Sequence, residues 1–140
     1  MLSSIPGTDD YLRLSYDLDL AVLMVRWQRD VSFAEIQEGL RAAREMSYSY
    51  GAARWLIDVR LRTELDAAIS GWMVTTLLPA VANELTPAAL YVAYLFAPGH
   101  ATVLEQNPAM RAATVTAHTH PAYRLQVFQD ENEAISWITS

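Results

Sequence analysis

The residues best equipped for chemistry stand where apolar runs end. Asp58 closes the run Trp55-Leu56-Ile57, and a carboxylate there can serve as a general base or accept backbone N–H groups and pair with arginine. Arg60 and Arg62 alternate just beyond it. On an extended stretch they could converge on an anion near the start of the following helix, where free N–H groups add to the field; the plainer reading pairs them with Glu64, Asp66 or solvent. His100 follows Pro98-Gly99 at the end of a second apolar run. Asp58, His100 and Ser70 together have the residue types of a nucleophilic triad, but no Gly-x-Ser-x-Gly elbow surrounds Ser70. His118 and His120 are spaced to point one way from an extended segment, as a metal site would ask, yet a third ligand is missing and Pro121 marks a solvated loop. The glycines are scattered with no Gly-x-Gly pair, so neither a P-loop nor a dinucleotide fingerprint exists.

These residues need elements to position them. Leu12, Leu14 and Tyr16 alternate with Arg13 and Ser15 in the period of a half-exposed strand, and Asp17 to Asp19 supplies a turn. Ala21 to Val25 then runs continuously apolar up to Trp27, the mark of a strand buried on both faces. Too few residues separate the two for a crossover, so they form an antiparallel hairpin with the first strand at an edge. A capping box, Ser32 with Glu35, opens a helix to about Ser47 with Phe33, Ile36, Leu40, Ala43 and Met46 on one face. Glu38, Arg41 and Glu45 are in reach of one another on the other face. Gly39 inside this helix costs about 1 kcal/mol relative to alanine, which marks either close approach to a neighbour or tolerance, and tolerance is the reading preferred. A third strand covers Arg54 to Val59.

Thr63 or Asp66 can cap the next helix, whose face Ile69, Trp72, Met73 and Leu77 meets a kink at Pro79 and continues to Thr86-Pro87. Leu90 to Phe96 is a fourth, buried strand. Ala101 to Ala117 divides into two helical pieces at Asn107-Pro108, where asparagine is a cap and proline the first helical residue. His118 to Ala122 is a loop, Leu125, Val127 and Phe128 belong to a last strand, and Asp130 caps a closing helix. The order β-β-α-β-α-β-α-β-α implies a single α/β domain over residues 1–140, with a polar lead-in at 1–10. Its fold is a mixed, mostly parallel five-stranded sheet flanked by helices, the first strand running against the rest.

Composition narrows the classes of function. All 10 basic residues are arginine, against 16 acidic ones, for a net charge of −6, and no run of arginine offers the basic face that nucleic acid or an anionic membrane needs. Cysteine is absent, which excludes disulfides and thiolate chemistry. The longest apolar run, Ala88 to Ala97, is half of a membrane span, and the first ten residues lack a secretory signal's pattern, so the chain reads as cytoplasmic. Four tryptophans and seven tyrosines are mostly core, although Trp72, Met73, Tyr94, Phe96 and His100 could wall an apolar pocket.

Several local phrases, taken in order, resemble the STAS domain family, the sulfate transporter and anti-sigma factor antagonist fold, and in particular its small stand-alone SpoIIAA-like bacterial members. They are Val25-Arg26-Trp27 before Ser32-Phe33-Ala34-Glu35, then Trp55-Leu56-Ile57-Asp58-Val59-Arg60, then Trp72 with Pro79, then Val127 to Ile138. The resemblance implies a STAS-like fold and a regulatory module that binds protein. In the regulatory branch a serine at the start of the helix after the third strand is phosphorylated by a partner kinase. The matching stretch here, Asp58 to Asp66, has no Asp-Ser pair, and Thr63 is its nearest hydroxyl. The expectation is thus a non-catalytic, self-associating binding module without cofactor or metal, with a protein partner, and with Asp58, Arg60, Arg62, Thr63, Trp72, Met73, Phe96 and His100 as candidates for binding a ligand or partner. Two rivals remain: a carrier of an apolar or lipid-like small molecule, and an enzyme using Asp58 and His100.

Overall fold

Strands are laid down in the sheet in the order in which the chain makes them. The computed structural model describes residues 10–63 and 67–140, and its five strands stand side by side as β1-β2-β3-β4-β5. They are β1 (Leu12–Asp17), β2 (Val22–Trp27), β3 (Arg54–Asp58), β4 (Leu90–Leu95) and β5 (Tyr123–Phe128). β1 pairs antiparallel with β2, and every later pair is parallel. The expected mixed, mostly parallel sheet is thus present, with β1 at an edge.

Between the strands come α1 (Phe33–Tyr50), α2 (Ala67–Trp72), a π-helical turn (Met73–Leu77), α3 (Leu78–Leu85), α4 (His100–Gln106) and α5 (Pro108–Thr119), and α6 (Glu131–Thr139) closes the chain. Parallel strands added in one direction by right-handed crossovers place all their connecting helices on one face. The larger core accordingly joins α1, α2, the π turn and α3 to the inward side chains Leu23, Val25, Trp55, Ile57, Val92 and Tyr94. The other face holds a smaller core of Val22, Met24, Leu56, Ala93 and Leu95, covered by Ala134 and Ile138 of α6.

Local signals set most boundaries. Ser32 Oγ accepts the Glu35 N–H at 3.1 Å while the Glu35 carboxylate accepts the Ser32 N–H at 3.0 Å, so the capping box forms as read. α1 runs on to Tyr50 and stops at Gly51 in the left-handed region, φ 62°. On its outer face Arg44 reaches Glu84 of α3 at 2.7 Å, rather than the expected ladder through Arg41. Asn107 caps α5 by accepting the Met110 N–H, with Pro108 in first position as expected. At Gly39 the structure favours close approach over the preferred reading of tolerance. A Cβ there would come within 2.8 Å of Leu12 Cδ2 and 2.9 Å of Trp27 Cη2, so the glycine lets the helix press on β1 and β2.

Pro79 does more than kink its helix. Leu78 N–H bonds to the Met73 carbonyl, five residues back, so the backbone passes Pro79 in π register. In that register the Val74 carbonyl would take its bond from residue 79, which has no N–H. The Tyr123 hydroxyl, arriving from β5, donates to this carbonyl at 2.7 Å in the core. Burial pushes the Tyr123 phenol up to about 12 from its ordinary 10.0. A raised phenol contributes stability fully present below pH 10, which is lost as pH rises through about 12.

Two substitutions measure these contacts. Gly39→Ala is expected to lower stability in urea unfolding by about 1–2 kcal/mol net, because overpacking outweighs the gain in helix propensity. Tyr123→Phe leaves the Val74 carbonyl buried and unbonded, at about 1–3 kcal/mol. The same variant should show a shallower loss of stability than the parent in alkaline titration.

Candidate functional site

At the carboxyl ends of the parallel strands, four charged residues from four segments meet on the α6 face. Arg26 in β2 stands directly across the ladder from Asp58 in β3. Its Nη1 donates to Asp58 Oδ2 at 2.9 Å and to Glu131 Oε1 at 2.8 Å, and its Nη2 to Glu131 Oε2 at 3.2 Å. Arg60, just past β3, grips Asp58 with Nε and Nη2 at 3.1 and 2.9 Å, adds its backbone N–H at 3.0 Å, and reaches Glu131 Oε1 at 2.9 Å. Two guanidiniums and two carboxylates thus cancel in one bidentate cluster. An open cleft of ≈ 510 Å³ lies over it, with Arg13, Gln28 and Leu61 in its walls.

The cluster governs ionisation. Burial by itself would raise the Asp58 carboxyl, but the bonds from the Arg60 side chain and backbone and from Arg26 outweigh it and hold the group below its ordinary 3.8. Glu131 is held below 4.5 by its bonds to Arg26 against a smaller opposing effect of burial. A carboxylate held down in this way is a weak base.

His100, buried, is committed to the backbone. Its Nδ1 accepts the Ala97 N–H at 3.0 Å and its Nε2 donates to the Arg62 carbonyl at 2.6 Å, which fixes the tautomer and ties the loop after β4 to the loop after β3. Asp58 gives its oxygens to arginines and His100 its nitrogens to main chain, so neither orients the other. Ser70 lines an apolar cavity instead.

Arg60 and Arg62 turn to different sides, which removes the convergence on an anion that their alternation allowed. Arg60 turns to the α6 face, where its partners among the described residues are Asp58 and Glu131; Glu64 and Asp66 lie outside the described residues. Arg62 turns inward and is buried, and its Nε has no hydrogen-bond partner among the described residues. Thr63 donates both its N–H, at 2.8 Å, and its hydroxyl to the carboxylate of Asp30. The capping role expected of Thr63 or Asp66 turns on residues 64–66, which lie outside the described residues.

The proposed pocket wall divides. Met73, Tyr94 and Phe96 line the apolar cavity with Met110, at a volume of only ≈ 30 Å³. Ligand pockets are typically about ten times larger or more. Trp72 leaves that wall, tilts on Phe33 at 5.9 Å between ring centres, and faces a groove with Gln37 and Arg41. His100 meets the edge of Phe96 at 5.7 Å.

His118 and His120 do not share an extended segment: α5 continues through Thr119, placing His118 in its last turn, while His120 stacks on Tyr123 at 4.9 Å. Among the described residues no group of three or more histidines and carboxylates is arranged to hold a metal ion.

Sequence reasoning missed Arg26 and Glu131 as site residues. The signal for Arg26 was a lone charge in a strand otherwise apolar on both faces, which demands a buried partner. Glu131 carried no signal beyond an acidic first turn. Compared with family models, with curated proteins and with solved structures, the chain finds no significant match in any of the three.

Asp58→Asn is expected to cost about 2–3 kcal/mol at pH 7, since two charge-assisted partners are left with one carboxylate between them. Because the carboxyls titrate lower in the folded chain, the unfolded chain binds protons first on acidification. Stability present above their ordinary values of 3.8 and 4.5 is lost as the pH falls through the folded ones. The Asp58→Asn variant should therefore show a flatter acid limb than the parent in urea midpoints measured from about pH 6 to about pH 3.

Proposed function

We propose that this chain is a STAS-like, non-catalytic binding module that works by protein–protein contact and associates with itself. One observation carries the reading: Asp58 and His100, the two groups at the carboxyl edge read as candidate catalysts, are both engaged in holding the fold. Asp58 sits among Arg26, Arg60 and Glu131, and His100 is bonded at both ring nitrogens to main chain. A catalytic base or nucleophile needs a free position facing a substrate.

The architecture supports the STAS-like part, with its hairpin-led mixed sheet and the closing helix after β5. The phosphoswitch of that family's regulatory branch has weaker support here. Thr63 already gives its hydroxyl hydrogen to Asp30, and a phosphate there would face that carboxylate at short range. The small apolar cavity weighs against the carrier reading. Exposed Leu61, beside Arg60 at the rim of the cleft, is suited to a protein contact. No described helix is long and apolar enough to cross a membrane.

Native mass spectrometry of the purified chain tests this reading in one spectrum. The expected result is a dimer free of any bound small molecule. A retained small molecule would replace the reading with that of a carrier, and a monomer at every concentration would overturn self-association.

A further inference from the structure

We propose that Arg62 anchors a binding site for a small monocarboxylate, whose oxygens pair with the buried guanidinium and whose short apolar end enters the cavity beside it. The inference goes beyond the preceding reading. It gives the binding module an exchangeable effector, and it does not depend on self-association.

A buried cation without a partner carries the argument. Arg62 is 6% exposed, and its Nε is a buried donor with nothing to bond among the described residues. The described ion pairs all belong to other arginines: Arg26 and Arg60 take Asp58 and Glu131, Arg29 takes Asp10 and Glu35, and Arg44 takes Glu84. Taking a charge out of water without pairing it is costly, and arginine ordinarily avoids this by carrying its head to solvent on a flexible stem. Here the main chain of the residue is pinned. Arg62 N–H donates to the Val59 carbonyl at 3.0 Å, and the Arg62 carbonyl accepts from His100 Nε2 at 2.6 Å. The guanidinium is thus held inward with a donor to spare, which is how a preorganised anion site is made.

Tyr94 joins this cation to the cavity. Burial raises the Tyr94 phenol above its ordinary 10.0, and the charge acting against that rise is Arg62, so the guanidinium lies within electrostatic reach of the hydroxyl. The same tyrosine walls the apolar cavity with Ser70, Met73, Val74, Phe96 and Met110. His100, which holds the Arg62 carbonyl, packs on the edge of Phe96 in that wall.

These surroundings select the anion. A guanidinium offers a planar fork of N–H groups that matches the two oxygens of a carboxylate. One cation balances one negative charge, so a singly charged ligand is preferred to sulfate or a phosphate ester. The cavity of ≈ 30 Å³ has room for a methyl or ethyl group and none for a long chain. Its apolar lining favours such a group over a second charge. Acetate and propionate are the size that fits.

Thermal unfolding at about pH 7, with sodium acetate replacing sodium chloride at equal ionic strength, tests the site on the full chain. The parent is expected to gain about 3 °C or more in Tm from acetate beyond the gain of Arg62→Met, which supplies the general salt effect. In chloride, Arg62→Met should be at least as stable as the parent, because the substitution removes a buried charge that lacks a partner. A second readout uses the parent alone. The Arg62 Nε–Hε signal in a proton–nitrogen correlation spectrum, assigned by its loss in Arg62→Lys, should shift with acetate and hold still with chloride. An unmoved signal with no Arg62-dependent gain in Tm would overturn the site. A marked loss of stability in Arg62→Met in chloride would also overturn it, by showing that the cation is paired within the chain. An Arg62-dependent gain larger with sulfate than with acetate would overturn the choice of a carboxylate.

Discussion

The constraint on which this molecule depends is the one-directional growth of its sheet. Because β3, β4 and β5 are each added on the same side of their predecessor, the connecting helices crowd one face and the other must be closed by whatever follows the last strand. That task falls to the nine residues of α6. Its apolar side chains cover Leu56, Ala93 and Leu95, but it does not extend over β1, whose outward residues Arg13, Ser15 and Asp17 are polar to match.

A helix of nine residues is marginal by itself and depends on contacts that hold its first turn. The charged cluster does so here. Glu131, the first residue of α6, is bound by Arg26 from β2 and Arg60 from the loop after β3, and the two arginines also share Asp58. The place where an open α/β sheet usually offers a ligand site is thus partly taken up by anchoring the far-face helix. His100 acts similarly on the other side, linking two loops through their main chains. Polar residues that look available in the sequence become fold-holding groups because, among the described residues, one short helix covers the second face of the sheet.

The helix-covered face shows a related compensation at Pro79. A proline in mid-helix orphans a carbonyl, and the chain shifts into π register to pass it. The orphan, Val74, is met by Tyr123, a residue of the last strand. Gly39 is the reverse case, a side chain withheld so that Leu12 and Trp27 can approach α1.

Features written in consecutive residues were legible in the sequence. The capping box at Ser32 and Glu35, the Asn107-Pro108 break, the hairpin and the alternation of strand and helix depend on neighbours a few positions apart, so pattern and propensity determine them. What joins distant positions was not legible. Arg26 and Glu131 are separated by 105 positions, and no local rule says that they will share a pair of oxygens. The same holds for the fit of Gly39 against Trp27, for Tyr123 finding Val74, and for Arg60 reaching Glu131. The helical turn that carries His118 likewise belongs to α5, although Pro121 two residues beyond its end suggested a loop. The sequence by itself determined the elements, their order and the mixed sheet, because backbone preferences and apolar periodicity are short-range. Only the tertiary structure decided which charges meet, since ion pairs and close packing depend on where the sheet brings remote segments together.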